Sequence, residues 1–154
     1  MLELFAALAL AVAPPPTPEE DVAEVIDALH AAAARADGPA YFALFTPDAR
    51  FIGTDATERW TLTEFRAYAE PYFARGQGWT YTPVERTVTL APIQCMCIAW
   101  FDEVLDSESY GVTRGSGVLR RTRAGWKVEQ YVLSFAVPND RARDVVAAIA
   151  AAPG

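Results

Sequence analysis

Hydrophobic positions recur along this chain with two different periods, and the switch between them divides it into a helical first half and a stranded second half. Val22, Val25, Ile26, Leu29 and Ala33 fall at helical spacing. Ahead of them, Thr17-Pro18-Glu19-Glu20 supplies a capping hydroxyl, a proline at the first helical position and acids at the positive end of the helix dipole. The spacing predicts a helix over about residues 18–36, ended by Asp37-Gly38-Pro39. Ala40 to Phe45 predicts a short second helix, closed by Thr46-Pro47-Asp48. A strand follows from Ala49 to Gly53, with Phe51 facing away from Arg50 and Ile52. Thr54 to Trp60 reads as a polar loop. Thr61 and Glu64 have capping-box spacing and open a third helix, whose apolar face carries Leu62, Phe65, Tyr68, Ala69, Tyr72 and Phe73. Gly76-Gln77-Gly78 stops it.

From Trp79 onward the period is two. Trp79–Leu90, Ile93–Leu105, Tyr110–Arg121 and Trp126–Val137 alternate and are rich in β-branched and aromatic residues. Asp106–Ser109 and Thr122–Gly125 are their turns. Pro83 places the first of these strands at a sheet edge or on a bulge. Pro138-Asn139-Asp140 begins a short C-terminal helix, Arg141 to Ala151, with Val145, Val146 and Ile149 on one side. Strands joined by short turns pair antiparallel, and the helices come mainly first. The fold class is therefore α+β, one strongly curved sheet wrapped around three N-terminal helices.

Composition narrows the partners. At 154 residues, 52% hydrophobic and 12% aromatic, the chain can bury a core as one domain, spanning about residues 17–152. A net charge of −7, from 13 Lys+Arg against 20 Asp+Glu, disfavours nucleic acid and anionic lipid. Leu2 to Ala13 is nearly all apolar and closes on Ala11-Val12-Ala13 before Pro14-Pro15-Pro16. This is the pattern a signal peptidase reads, although Glu3 stands where a basic residue is expected. The run is too short to form an integral membrane segment. Secretion or export to the periplasm is the first reading of this stretch; an apolar tail on a cytoplasmic protein is the other.

Little in the sequence implies a cofactor or a metal. There is no Gly-rich phosphate loop, no nucleophile elbow and no cluster of ligands around the sole histidine, His30. His30 reads as a half-exposed helix residue, since nothing near it in sequence orients it. Cys95 and Cys97, two apart in an apolar strand, read as buried thiols. Glu58, Arg59, Arg120, Arg121 and Arg123 read as solvated charge.

The densest mixture of aromatic, acidic and basic side chains lies in Trp100 to Val118. A hairpin turning at Asp106–Ser109 sets Trp100 opposite Arg114 and Asp102 opposite Val112, so that Trp100, Asp102, Val112, Arg114, Ser116 and Val118 share one face. A two-residue turn at Arg123-Ala124 adds Tyr131, Leu133 and Phe135 to it. Such a mostly apolar surface with a few polar groups suits a small-molecule pocket. With Tyr41, Trp60 and Tyr72 contributed by the helical half, the candidate ligand-binding set is Tyr41, Trp60, Tyr72, Trp100, Arg114, Ser116, Tyr131 and Phe135. Asp55 or Asp102 is the candidate general base, and Arg114 or Tyr131 would steady a developing oxyanion. Two structural readings compete. Asp102 and Arg114 could form a cross-strand ion pair beside Trp100, and Asp55 could simply cap the loop beside Gly53 and Thr54. A one-residue change of register would send the whole set to the other face.

The segments GTDATERW (Gly53 to Trp60), FRAYAEPYF (Phe65 to Phe73), WFDEVL (Trp100 to Leu105), RGSGVLRR (Arg114 to Arg121) and QYVLSFAVPN (Gln130 to Asn139) follow one another in an order that resembles a bacterial SnoaL-like family of the nuclear transport factor 2-like superfamily. The resemblance covers roughly residues 18–150 and implies a cone-shaped roll with an apolar cavity between a mixed, mostly antiparallel sheet and the helices, often as a homodimer. Superfamily members include ketosteroid isomerase, scytalone dehydratase, limonene epoxide hydrolase, polyketide cyclases and non-catalytic modules, so the fold does not fix the function. The expectation is a domain that binds a small apolar or aromatic molecule. The alternatives are a cofactor-free isomerase, cyclase or hydrolase with a cavity aspartate as acid/base, and a non-catalytic dimerisation or interaction module. Dehydratase-like chemistry is not expected, because His30 stands alone on helix one.

Overall fold

The computed structural model describes residues 14–152, so the expected signal peptide over residues 1–13 lies outside the described residues. The elements in order are α1 (Pro18–Ala34), α2 (Gly38–Phe42), β1 (Phe45–Ile52), β2 (Arg59–Thr61), α3 (Leu62–Phe73), β3 (Thr82–Leu90), β4 (Ile98–Ser107), β5 (Gly111–Thr122), β6 (Gly125–Phe135) and α4 (Ala142–Ala151), the last entered through a short 3-10 turn. The α+β class and the element order match the reading of the sequence, with β2 as an added short strand. The expected capping box forms at Thr61/Glu64, and the expected capping threonine, Thr17, also completes a box with Glu20.

Six strands make one sheet in the order β2-β1-β6-β5-β4-β3. Only β1 and β6 run parallel; the other neighbours are antiparallel. Pro83 sits on the edge strand β3 beside a shift in register, which meets both conditions under which a strand accepts proline. The helices cover the concave face. Val22, Ile26, Leu29 and Ala33 of α1 and Phe65, Ala69 and Phe73 of α3 are buried against it. The apolar residues of α4, Val145, Val146 and Ile149, are exposed.

Cross-strand partners line up in rows across the concave face. One row runs Val88–Phe101–Gly117–Tyr131–Phe51–Trp60, through all six strands. The next runs Arg86–Glu103–Gly115–Leu133. A glycine stands at the centre of each row, where the neighbouring strands bring their largest side chains. A Cβ at Gly117 would collide with the Gln130 carbonyl and come 2.9 Å from the Phe101 ring. One at Gly115 would lie 2.6 Å from both Glu103 Oε1 and the Tyr131 hydroxyl. Missing side chains at the middle of a sheet let it bend and let its neighbours' side chains lie across the gap.

Three expectations are corrected here. The β4–β5 turn is a three-residue loop closing on Gly111 at φ 64°, a left-handed position that glycine occupies without strain. It sets Trp100 opposite Val118, Asp102 opposite Ser116 and Arg114 opposite Val104. Trp100, Asp102, Arg114 and Ser116 do share a face, but it is the convex, outer one, while Phe101, Glu103 and Leu105 point inward. Second, the expected turn at Arg123-Ala124 is present, with Thr122 paired to Gly125, yet a bulge between Val118 and Leu119 then shifts the register by one. One extra residue exchanges the faces, so Tyr131 and Leu133 join Gly117 and Gly115 on the concave side instead of joining Trp100. Third, Cys95 and Cys97 lie in a turn before β4, not within a strand, and are joined in a disulfide. Met96, at φ 47°, reverses the chain between them and brings their Cα atoms to 5.1 Å, a spacing the extended backbone would not give.

Replacing Gly117 by alanine is expected to cost about 2–3 kcal/mol of stability, because backbone must yield to the new Cβ. Ser116→Ala on the outer face should change stability by less than about 0.5 kcal/mol. Urea denaturation of the two variants side by side checks the contrast.

Candidate functional site

Alternation along β4 places Glu103 on the buried side between Phe101 and Leu105, and its side chain is 1% exposed. A carboxylate so far from water requires partners. It receives three. His30 Nε2 lies 2.8 Å from Glu103 Oε1, the Tyr131 hydroxyl donates to the same oxygen at 3.2 Å, and Arg86 Nε donates to Oε2 at 2.9 Å. Arg86 is the cross-strand partner of Glu103, and its Nη1 continues to Asp27 Oδ1 at 2.7 Å and to the Ala23 carbonyl at 3.3 Å, both on α1. His30 is one helical turn beyond the buried Ile26, so the stripe that packs α1 on the sheet also delivers the imidazole to Glu103.

Burial by itself would raise the Glu103 carboxyl, but the hydrogen bond and charge of His30, followed by those of Arg86, outweigh it and hold the pKa below the ordinary 4.5. Glu103 is therefore an anion and can only accept. In the neutral imidazole this fixes the proton on Nε2 and leaves the lone pair on Nδ1. Burial, then the neighbouring Glu103 charge, raises the Tyr131 phenol well above its ordinary value, so it stays protonated and donates. The His30 and Tyr131 rings meet edge to face at 6.3 Å.

This polar group stands at one side of a cavity of ≈ 150 Å³ between α1, α3 and the concave sheet, lined mainly by aromatic rings. Phe51 stacks on Phe65 at 3.8 Å and on Tyr131 at 5.6 Å, and Trp60 stacks on Phe65 at 5.6 Å and on Tyr68 at 4.9 Å. Tyr41 makes edge or tilted contacts with Phe45, Phe65, Phe73 and Trp79, and its phenol is raised by burial, then by Tyr81. A wider depression of ≈ 830 Å³ adjoins the cavity through the shared residues Trp79, Tyr81 and Tyr110.

Of the candidate ligand-binding residues, Tyr41, Trp60 and Tyr131 line the cavity. Tyr72 is 40% exposed outside the cavity, packed against Tyr68, Phe135 is 48% exposed beyond the cavity against Tyr110, and Trp100, Arg114 and Ser116 belong to the outer face. Asp102 is exposed on that face too, among the described residues without an ion pair to Arg114. Asp55 is exposed and caps its loop, accepting from the Thr57 amide at 2.8 Å and the Thr57 hydroxyl at 2.6 Å, which lowers its pKa. The expected aspartate bases thus lie outside the cavity, whose lining instead includes His30, backed by the buried Glu103, and Glu58. His30 is nearly buried and oriented, not half-exposed, because its partner lies 73 residues away in sequence. Glu58 is half-buried at the cavity mouth instead of being solvated charge.

The SnoaL-like domain model matches residues 22–138 of this chain, which therefore belongs to the SnoaL-like domain family. Its fold is that of the NTF2-like proteins. An NTF2-like protein of unknown function from Pseudomonas putida is 17% identical, with 79% of this chain and 89% of that one covered at a TM-score of 0.65. A candidate dehydratase of the NTF2-like family from Streptomyces avermitilis is 16% identical, covering 78% and 96% at 0.65. A candidate ketosteroid isomerase from Shewanella frigidimarina is 19% identical, covering 76% and 97% at 0.59. At these identities the likeness establishes the fold alone. No curated protein matches the chain. Among the described residues, no helix is long and apolar enough to cross a membrane.

Glu103→Gln should cost about 3 kcal/mol at pH 7, since it leaves Arg86 facing an uncharged partner in a buried site. Because the folded pKa of Glu103 is depressed, its contribution is present above 4.5 and is lost as pH falls through the lower folded value. Denaturant titrations at pH 7 and pH 3 should therefore show wild type and variant converging in acid.

Proposed function

We propose that the chain binds a small, flat, largely apolar molecule in the aromatic cavity and moves a proton on it, without a cofactor, through His30. The observation that carries this reading is the hydrogen bond from His30 to the buried Glu103 at the wall of that cavity. A cavity of about 150 Å³ accepts a ligand of benzene size. Glu103 holds the imidazole in one tautomer and would stabilise the imidazolium once His30 takes a proton from the ligand. Isomerisation or elimination next to a carbonyl needs this kind of group. An aspartate is not required for it, and neither Asp55 nor Asp102 is placed to act. The reading deepens the coarser assignment to a family whose structural relatives include a candidate isomerase and a candidate dehydratase. We also propose an exported location, which the Cys95–Cys97 disulfide supports, since such bonds persist in oxidising compartments.

Trp60 and Trp79 in the cavity wall provide the readout for binding. Titration with 1-indanone should quench tryptophan fluorescence in wild type and in His30→Asn alike. Exchange of the ketone's α-protons in D₂O, followed by NMR, should run about 100-fold faster with wild type than with His30→Asn. Equal exchange rates would remove the proton-transfer step and leave binding; absence of quenching by any small ring compound would remove the binding reading too.

A further inference from the structure

The cavity mouth has a chemistry that its interior lacks. Backbone hydrogen bonds from Gly53 to the Glu58 carbonyl at 2.9 Å and from Glu58 to the Asp55 carbonyl at 3.0 Å close a tight loop, with Asp55 capping Thr57 inside it. That loop turns the Glu58 side chain over Gly53, where a Cβ would collide with the carboxylate, and toward the cavity. The carboxylate accepts one weak bond, from the Asp55 amide at 3.2 Å, and among the described residues it has no ion-pair partner.

The rings of Trp60, Tyr68, Tyr81 and Tyr110 line the same cavity. Tyr68 and Tyr81 feel its charge. Tyr81 is pushed up to about 12 by burial, then by Tyr110 and Glu58, and Tyr68 is raised by burial, then by Tyr72 and Glu58. The adjoining depression adds Asp106 and Glu108. Among the described residues, no lysine or arginine lines either hollow. An unpaired carboxylate among aromatic faces, with further acids on the approach, is the arrangement that holds a weakly hydrated cation.

We propose that the ligand of this cavity carries an ammonium group, seated at the mouth between the Glu58 carboxylate and the faces of Trp60, Tyr68, Tyr81 and Tyr110, while its apolar ring occupies the interior. The proposal rests on the reading of the cavity as a small-molecule site and adds the charge of the ligand to it. Glu58 is half-buried whereas His30 lies against the fully buried Glu103, so the cationic end is the one nearer solvent and the ring is the one presented to His30.

The test compares phenyltrimethylammonium with its neutral isostere tert-butylbenzene on the full-length protein, each titrated against tryptophan fluorescence. Phenyltrimethylammonium should bind about 10-fold tighter, and Glu58→Gln should erase most of that preference. Tyr110→Leu, at a half-exposed turn position, keeps apolar contact but removes a π face; it should weaken the cation about threefold and leave the neutral compound nearly unchanged. This second variant carries the test if Glu58→Gln fails to fold. Equal or tighter binding of tert-butylbenzene to wild type overturns the proposal and leaves the cavity reading intact. A cation preference that persists in the folded variants overturns the assigned seat. If neither compound binds, the cavity reading falls and this proposal with it.

Discussion

One buried carboxylate ties this molecule together. Glu103 is held by donors from three separate elements: His30 on α1, Arg86 on β3 and Tyr131 on β6. Removing a charge from water costs several kcal/mol unless its hydrogen-bonding capacity is met, so each of these elements must dock in place for the others to be stable there. The Arg86 link onward to Asp27 and the Ala23 carbonyl fixes α1 over the sheet at the same point. Through His30 and Tyr131 the same group reaches the inner wall of the cavity, well away from water, while Glu58 lies at the mouth. The contacts that hold the fold here also orient His30 at the cavity wall.

The aromatic half of the cavity follows from how the strands line up. Phe51, Tyr131 and Phe101 come from three strands and face the same side because the bulge before Leu119 resets the alternation of β6 against β5. Phe65 of α3 then lies flat on Phe51, and Trp60 lies flat on Phe65. Stacked and edge-to-face rings contribute beyond their buried area, by about 1 kcal/mol a pair. The cavity wall is accordingly stiff along these rings.

The fold was legible because its signals are local: a capping hydroxyl at Thr17, a capping box at Thr61, helical stripes, strand alternation, and a proline that marks an edge. The site was legible only in part. Tyr41, Trp60 and Tyr131 can be picked out as large aromatic residues on otherwise apolar faces. His30 and Glu103 could not be paired from sequence, since their contact spans two elements far apart in the chain. A usable signal did exist. Glu103 interrupts the inward parity of Phe101 and Leu105, and an acid at such a position demands a partner inside. Reading Trp100 and Asp102 as the inward set missed it, because the parity of β6 appeared to support them until the bulge is counted. The cysteines failed for a similar reason: strand geometry was assumed where Met96 turns the chain.

The two glycines also limit how this cavity can change over evolutionary time. Gly115 and Gly117 admit no side chain, being closed off by the Glu103 and Tyr131 oxygens in one case and by the Gln130 carbonyl in the other. At these two positions the sheet wall therefore cannot grow a side chain. Leu29 and Ala33 on α1, Tyr68 on α3 and the Gly53–Arg59 loop face the same space from elements with room to vary. Divergence among paralogues of this chain should then be concentrated on the helical roof and the rim, with the glycine pair unaltered beneath them.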